Sequence, residues 1–311
     1  MTERAQTPII DCHHHVWAPT AETHPWLAPG ANIPFRYGDY SAIKRDYRPE
    51  DYDRDASGFD VVGHVTMEGE WDPVDPVGET RWIAEVFARR PDYRAHVARA
   101  FLDRGDIGDQ LAGHAEFLFV RGIRHKPTSA PSAAAIEIGA PGSLSDPNWQ
   151  RGYRRLADHG LHFELQAPWW HIDELLELRA AVPETPVVIN HMFMPGDRDP
   201  ATLRGWREAI TRAATDTGLT IKISGMGLPS QLWRLDDHRA LIDHVLERFG
   251  PDRCMVASNF PVDRLTGSFA TIIGGYQDAL SDLTPAERAA VFHDTAARVY
   301  RLNTPLVAEG A

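Results

Sequence analysis

The segment from Ile9 to Trp17 carries the residues of this chain most suited to chemistry. A short apolar run leads there into Asp-x-His-x-His. Side chains alternate between the faces of a strand, which predicts His13 and His15 on one face. Cys12 and His14 would lie on the other face, with Cys12 a buried small hydrophobe. Two neutral imidazoles about 7 Å apart along a strand can converge on one metal ion.

The elements that would position these histidines are short apolar runs alternating with helical patterns. Eight such strands, each followed by a helix, predict an α/β fold of the (β/α)8 TIM-barrel type. An open doubly wound sheet would carry a Gly-rich phosphate turn after its first strand, and this sequence has none. The predicted strands start with residues 8–10 and continue at 60–67, 93–101, 117–124, 161–166, 186–191, 219–224 and 254–258. The predicted helices span 80–90, 107–115, 148–159, 172–181, 201–214, 238–249, 267–280 and 285–302, the last with a capping box from Thr284 to Glu287.

The length of 311 residues fits one such barrel, so we predict a single domain over residues 1–311. Residues 17–55 form a long insertion, rich in proline and aromatic residues, after the first strand. In a barrel this insertion would lie over the mouth as a lid or pocket wall. A packing extension or an oligomer contact is the alternative for the same segment.

Composition narrows the class of partner. A net charge of −12 argues against nucleic-acid and anionic-membrane binding, since both need excess positive charge. Two cysteines, Cys12 and Cys254, are too few for a disulfide framework and indicate a reducing cytoplasm. The sequence has neither a signal-like segment nor a long apolar run. We therefore expect a cytoplasmic enzyme acting on a small molecule, and the sequence leaves a homo-oligomer open.

Polar residues mark nearly every predicted strand end, which is where barrels carry their active sites. Polar residues scattered over a surface would not fall at strand ends so often, so this pattern favours an enzyme. The candidates are His13, His15, Glu68, Glu70, Arg124, His125, Lys126, Gln166, His191, Ser224 and Asn259.

His191 follows an apolar strand and is placed to reach the same centre as His13 and His15. Three neutral imidazoles would hold Zn²⁺ with one position open for water, and the bound water would ionise near pH 7. A hydrogen-bonded core histidine is the alternative for His191.

Arg124 and Lys126 form an electropositive cluster that would suit a substrate carboxylate. The alternative is that each pairs with a neighbouring acid. Glu68 and Glu70 share parity beyond the second strand, next to Trp71, so they could face one pocket. A solvated loop is the other interpretation of these two glutamates.

The chain resembles the amidohydrolase superfamily, and within it the amidohydrolase-2 branch that contains sugar lactonases and 2-pyrone-4,6-dicarboxylate lactonases. The resemblance rests on Asp-x-His-x-His, on His191, on the strand that ends in Ser224, and on the Ser-Asn-Phe-Pro-Val-Asp sequence at 258–263. It runs nearly the whole chain. It implies a (β/α)8 barrel and lactone hydrolysis, with relatives that decarboxylate or hydrate small aromatic-derived acids.

Asn259 departs from the pattern of that branch. The branch usually has an aspartate here, which shuttles protons and often binds metal. A carboxamide cannot accept a proton at physiological pH and is a poor zinc ligand. Three interpretations follow: a metal site with another base, such as Glu68, Glu70, His125 or Asp263; a site without metal, in which histidines polarise the substrate; or a lost hydrolytic function.

The favoured hypothesis is a hydrolase of a small cyclic ester, a sugar- or pyrone-type lactone. His13, His15, His191, Asn259 and His125 would form the catalytic set. The cofactor would be Zn²⁺ or Mn²⁺, or none. Arg124, Lys126, Glu68, Glu70, Gln166, Trp71 and Ser224 would bind a substrate that carries a carboxylate. The alternatives are a lyase, decarboxylating or hydrating an aromatic-derived acid, and a non-catalytic barrel that binds a ligand.

Overall fold

The predicted alternation of strands and helices closes into a barrel. The structure is a computed structural model that describes residues 7–90 and 92–302. Within those ranges eight parallel strands lie side by side in sequence order, each joined to the next by backbone hydrogen bonds. The (β/α)8 prediction is therefore confirmed. No helix in the described ranges is both long and apolar enough to cross a bilayer.

Except for β1, which extends beyond its apolar run, the strands are shorter than predicted, and most helices lie within two or three residues of their predicted bounds. The strands are β1 Ile9–His14, β2 Val61–Met67, β3 Tyr93–Arg99, β4 Val120–Arg124, β5 His162–Leu165, β6 Val187–Ile189, β7 Leu219–Ile223 and β8 Cys254–Val256. The helices are α1 Pro49–Asp55, α2 Gly78–Phe87, α3 Ile107–Ala115, α4 Pro147–Arg154, α5 Ile172–Ala181, α6 Pro200–Ala213, α7 Arg239–Phe249, α8 Phe269–Ala279, α9 Pro285–Ala289 and α10 Thr295–Val299.

The final helix was predicted as one piece and is divided. A π-helical turn, Ala290–Asp294, separates α9 from α10. The capping box at its start is confirmed, because Thr284 Oγ1 accepts from the Glu287 amide while the Glu287 carboxylate accepts from the Thr284 amide. After α10, Tyr300 is buried with the barrel residues and donates to Glu164 on β5, so the end of the helix packs against the barrel interior.

Backbone bonds beyond the end of β8 close the barrel against β1. The Asn259 amide donates to the His13 carbonyl at 2.8 Å, and the His15 amide donates to the Phe260 carbonyl at 2.7 Å. The closure therefore holds the end of β1, which carries His13 and His15, against the segment after β8, which carries Asn259.

The strict alternation predicted for β1 is wrong at Cys12. The register of β1 against β2 shifts between Asp11 and His14, and the shift disturbs the two-residue period. Cys12 packs in a hydrophobic cluster with Met67. The Met67 sulfur lies 3.5 Å from the amine of Lys222, which faces His13. Cys12 thus lies on the inner side of the barrel, buried as expected but on the same side as His13. His14 faces outward among Tyr52, His64 and Tyr93.

The insertion after β1 is a loop whose two ends lie next to each other. Trp17 and Tyr47 exchange two backbone hydrogen bonds, of 2.9 and 3.0 Å, which tie the two ends of the loop together. Within the loop, Trp26, Phe35 and Tyr40 stack on one another with ring centroids 5.0 to 6.0 Å apart. This aromatic cluster gives the loop a small core of its own.

Candidate active site

A cavity of about 240 Å³ opens to solvent at the carboxyl ends of the barrel strands. It brings together most of the residues predicted from strand ends. Those that line it are His15, Glu68, Glu70, Arg124, Lys126, Gln166, His191 and Asn259. The insertion supplies a further wall, made of Trp17, Trp26, Ile33, Pro34, Phe35 and Arg36.

His15 presents a fixed lone pair to this cavity. Its Nδ1 lies 3.1 Å from the Met67 carbonyl oxygen, which can only accept, so Nδ1 carries the hydrogen and Nε2 is an acceptor. Burial, with Arg124 nearby, lowers the pKa of His15 to about 3. The imidazole of His15 is therefore uncharged at pH 7.

His13 lies beneath the cavity, fully buried, between two cations. Arg124 Nη1 is 3.4 Å from its Nε2, and Lys222 Nζ is 3.4 Å from its Nδ1. Burial, followed by Lys222, holds the pKa of His13 well below its ordinary value. A third positive charge between these two cations would be unfavourable, so His13 is neutral.

His191 reaches the cavity on a left-handed turn. The four residues 191–194 all have positive φ, between 51° and 59°, which is unusual for side chains other than glycine. The Ser224 hydroxyl lies 2.9 Å from His191 Nδ1 and orients the ring. A Cβ on Gly225 would stand 2.3 Å from the same Nδ1, so a glycine is required beside it. Ser224 therefore positions His191 and does not line the cavity.

Arg124 is held by an acid before any substrate arrives. Its Nε donates to Glu68 Oε1 at 2.6 Å, and its Nη1 donates to Gln166 Oε1 at 3.0 Å. Against the cost of burial, Arg124 keeps the pKa of Glu68 below its ordinary value. Lys126 pairs in the same way with Glu70 at the cavity rim. The two cations predicted to bind a carboxylate are thus neutralised by Glu68 and Glu70.

Sequence reasoning missed the ion pair inside the barrel. Lys222 and Glu164 are both fully buried, with Nζ 2.8 Å from Oε2. Tyr300 and Asn190 also donate to Glu164, and against burial Lys222 lowers the pKa of Glu164 to about 2. The signal was available, since each charge interrupts an apolar strand at an inward-facing position.

Asn259 is oriented by a buried carboxylate. Its Nδ2 donates to Asp263 Oδ1 at 2.6 Å, and the Tyr37 hydroxyl donates to the same oxygen at 2.8 Å. Because the amide nitrogen is turned toward Asp263, the amide oxygen Oδ1 is turned away from it and is the acceptor that Asn259 can offer to a ligand. Burial raises the pKa of Asp263 to about 6, against the opposing influence of Arg36. Asp263 lies behind Asn259, fully buried.

Arg36 is a cation of the cavity that sequence reasoning did not select. Among the described residues it has neither an ion-pair nor a hydrogen-bond partner, and its guanidinium carbon lies 4.6 Å from the centroid of the Tyr37 ring. Arg36 belongs to the insertion. The position of this loop over the barrel does not follow from the rule that active-site residues lie at the ends of strands.

Two further predicted site residues, besides His13 beneath the cavity and Ser224 behind His191, do not line the cavity. His125 accepts a hydrogen bond from the Leu102 amide and stacks on Trp149, because alternation after β4 turns it outward where Arg124 turns inward. Trp71 packs against His24 and Trp82 behind the wall. Neither is brought together with the other candidates.

The predicted metal ligands are neutral, as metal binding requires, but their surroundings do not fit a divalent ion. Arg124 and Lys222 each face one ring nitrogen of His13. In the part of the chain that the structure describes, no three His, Cys, Asp or Glu side chains are grouped as a metal site. Zn²⁺ or Mn²⁺ on His13, His15 and His191 therefore stays a prediction. Elemental analysis of protein purified without chelator checks it, and one ion per chain would require Arg124 or Lys222 to move.

The fold and the site together define a (β/α)8 barrel with a polar cavity where barrel enzymes carry their active sites. The sequence matches the family model described as Amidohydrolase over residues 10–302. The chain belongs to the amidohydrolase family.

Relatives span nearly the whole chain. The uncharacterized protein y4mH of Sinorhizobium fredii is 34% identical, covering 94% of this chain and 98% of that protein. An L-fucono-1,5-lactonase of Burkholderia multivorans is 25% identical, covering 95% of this chain and 97% of that enzyme. A crystal structure of an amidohydrolase from Burkholderia multivorans with bound zinc superposes with a TM-score of 0.76 at 23% identity, over 94% of this chain and 99% of that one. At that identity the superposition establishes the fold.

Proposed function

We propose that the protein hydrolyses a sugar lactone in the cavity at the barrel mouth. The similarity to a fuconolactonase supports this substrate class. The observation that carries the proposal is the fixed polarity of the cavity. Buried partners behind the lining side chains decide which atoms accept hydrogen bonds and which donate them, before substrate arrives.

The accepting side consists of His15 Nε2 and Asn259 Oδ1. Met67 fixes the first by taking the hydrogen on Nδ1, and Asp263 fixes the second by taking the amide nitrogen. Both residues line the cavity. Two acceptors suit a water molecule, which has two hydrogens to donate.

The donating side consists of Gln166 and Arg36. Gln166 Oε1 accepts from Arg124, so Nε2 is the atom left to donate into the cavity. Arg36 adds an unpaired positive charge. Donors fixed in place before reaction suit the oxygen of an ester carbonyl, on which negative charge develops as water attacks.

The reaction then follows with all atoms accounted for. Water between His15 and Asn259 attacks the carbonyl carbon, and His15 Nε2 takes its proton. Gln166 and Arg36 stabilise the oxyanion. The bond between the carbonyl carbon and the ring oxygen breaks, and His15 returns the proton to that oxygen. One water is consumed and a hydroxy acid leaves. The low pKa of His15 makes the imidazole a weak base, so it takes the water proton only as the carbonyl carbon is attacked, and its protonated form then gives that proton readily to the leaving oxygen.

The insertion 17–55 serves as the wall of the substrate pocket. Trp26 and Phe35, which line the cavity, offer ring faces to the C–H face of a sugar. Trp26 is held by its indole nitrogen, which donates to the Gly69 carbonyl at 2.8 Å. The wall is thus anchored to the loop that carries Glu68 and Glu70.

A pH-stat assay tests the proposal on L-fucono-1,5-lactone, L-rhamnono-γ-lactone and 2-pyrone-4,6-dicarboxylate, each corrected for spontaneous hydrolysis. We expect acid release from at least one sugar lactone, without carbon dioxide. Carbon dioxide from an aromatic acid such as 2,6-dihydroxybenzoate would favour the lyase alternative. Absence of turnover with every compound, while a lactone still raises the melting temperature, would favour the binding protein.

A further inference from the structure

A second cavity adjoins the first and shares Arg36 and Met194 with it. Its volume is about 270 Å³. It lies between the loops that follow β1, β5, β6 and β7, and its walls are largely apolar. The wall residues used below are Asp197, Arg198 and Met226.

Arg198 is incompletely satisfied in this cavity. Its Nη2 donates to the Met226 carbonyl at 3.2 Å. Its Nε and Nη1 are buried from solvent and have no hydrogen-bond partner. Unsatisfied donors on a buried guanidinium are costly, so such a group is expected to have a partner in the working protein.

No acid among the described residues fills that role. In the described ranges Arg198 has no carboxylate within ion-pair distance, although Asp197 is exposed at the rim of the same cavity and Asp237 is near enough to raise the pKa of Arg198. Burial lowers that pKa to about 10, which leaves the guanidinium charged at neutral pH. Arg36, at the junction of the two cavities, is also without an acid partner.

We propose that the second cavity is an anion subsite of the same active site. Arg198 binds an acidic group, a carboxylate or phosphate monoester, at the far end of a sugar-acid substrate, while Arg36, where the two cavities meet, stays with the reacting end in the first cavity. Nε and Nη1 of Arg198 are covered by the cavity wall, and a rotation of the side chain toward the ligand would present them as the planar pair of donors that matches either group. The proposal rests on the proposed function for the choice of a sugar acid, and it moves the expected carboxylate contact from Arg124 and Lys126, which are already paired, to Arg198.

Isothermal calorimetry on the intact protein tests the subsite with three open-chain acids. D-Gluconate lacks a distal acid, D-glucarate has a distal carboxylate, and 6-phospho-D-gluconate has a distal phosphate. We expect one of the two diacids to bind at least tenfold more tightly than gluconate, and the tighter of the two identifies the group. Equal binding of all three, or no binding of any, would overturn the proposal.

Variants assign the preference to Arg198. Arg198→Gln should reduce it to less than threefold, and Arg198→Lys, which keeps the charge, should retain part of it. Arg204→Gln removes an exposed arginine of α6 outside the cavity and should leave the preference intact. A preference that survives in Arg198→Gln would also overturn the proposal. Binding of these acids does not depend on turnover, so the two proposals can fail separately. If the wild type hydrolyses a lactone but shows no preference for a diacid, only the anion subsite is wrong. If it prefers a diacid but hydrolyses no lactone, only the proposed reaction is wrong.

Discussion

Four cations at or beneath the two cavities, two on barrel strands and two on the loops above them, differ in whether they have acid partners. On the strands and at their ends, Lys222 pairs with Glu164, and Arg124 pairs with Glu68. On the loops, Arg36 and Arg198 have no such partner among the described residues. The first group lies under or beside the substrate cavity, and the second faces the space that a ligand would enter.

This difference separates two uses of positive charge. A buried paired cation is satisfied by the protein, so it can orient a neighbour such as His13 or Gln166 but has little left for a ligand. An unpaired cation at a cavity wall keeps its charge available. The positions of the acids, more than those of the cations, therefore decide which arginine or lysine binds substrate.

Removing a buried paired cation should have the largest effect on stability. Lys222→Met leaves Glu164 charged and unpaired inside the barrel, and we expect a loss of about 3–5 kcal/mol in the free energy of unfolding. Urea unfolding at pH 7 measures it. The double variant Lys222→Met with Glu164→Gln removes both charges and should recover much of the loss.

The rim pair provides the matched control. Lys126 and Glu70 are 38% and 34% exposed, and Lys126→Met should cost less than about 1 kcal/mol. Equal losses in Lys222→Met and Lys126→Met would show that burial of the pair does not set its contribution.

Asp263 should give a pH-dependent effect of intermediate size. Its pKa is raised from 3.8 to about 6 in the folded protein, so the folded state binds this proton more tightly than the unfolded chain does. Stability from this group is then present below about pH 4 and is lost as the pH rises to about 6, by about 3 kcal/mol at most.

Asp263→Asn keeps an oxygen to accept from Tyr37 and Asn259 but cannot ionise. We compare the unfolding free energies of wild type and variant between pH 4.5 and 7.5. The wild type should lose stability relative to the variant across this interval. A constant difference would mean that Asp263 titrates alike in both states.

Removing an unpaired cation should have the smallest effect on stability. Arg36→Gln breaks no ion pair or hydrogen bond among the described residues and removes only a positive charge that lowers the pKa of Asp263, so the free energy of unfolding should change by less than about 1 kcal/mol, while KM for the hydrolysed lactone should rise about tenfold. Steady-state kinetics and urea unfolding check the two halves. A stability loss as large as that of Lys222→Met would contradict the division between paired and unpaired cations.

The barrel and much of its site were predictable from sequence because both follow from local patterns. The alternating runs predicted the strands, and the strand-end rule found His15, Gln166 and Asn259 at the cavity. The prediction for Cys12 was wrong because a register shift between two strands is not a property of one strand.

Pairing between residues far apart in the sequence was the other feature that could not be predicted. The pairing of Arg124 with Glu68 joins residues 56 positions apart, and Asp263 meets Tyr37 across 226 positions. Residue types suggested that acids and bases were present, but only the folded chain decides which of them neutralise each other. Arg36 and Arg198 could be recognised as unpaired only once their neighbours were known.

The most direct test of the account is the effect of His15 on lactone hydrolysis. His15→Gln removes the acceptor that takes the proton of water, while His244→Gln changes a histidine on α7 outside the cavity. With the lactone that the wild type hydrolyses, we expect kcat/KM to fall at least a hundredfold in His15→Gln and to stay within twofold in His244→Gln. Undiminished hydrolysis by a folded His15→Gln protein would contradict the account.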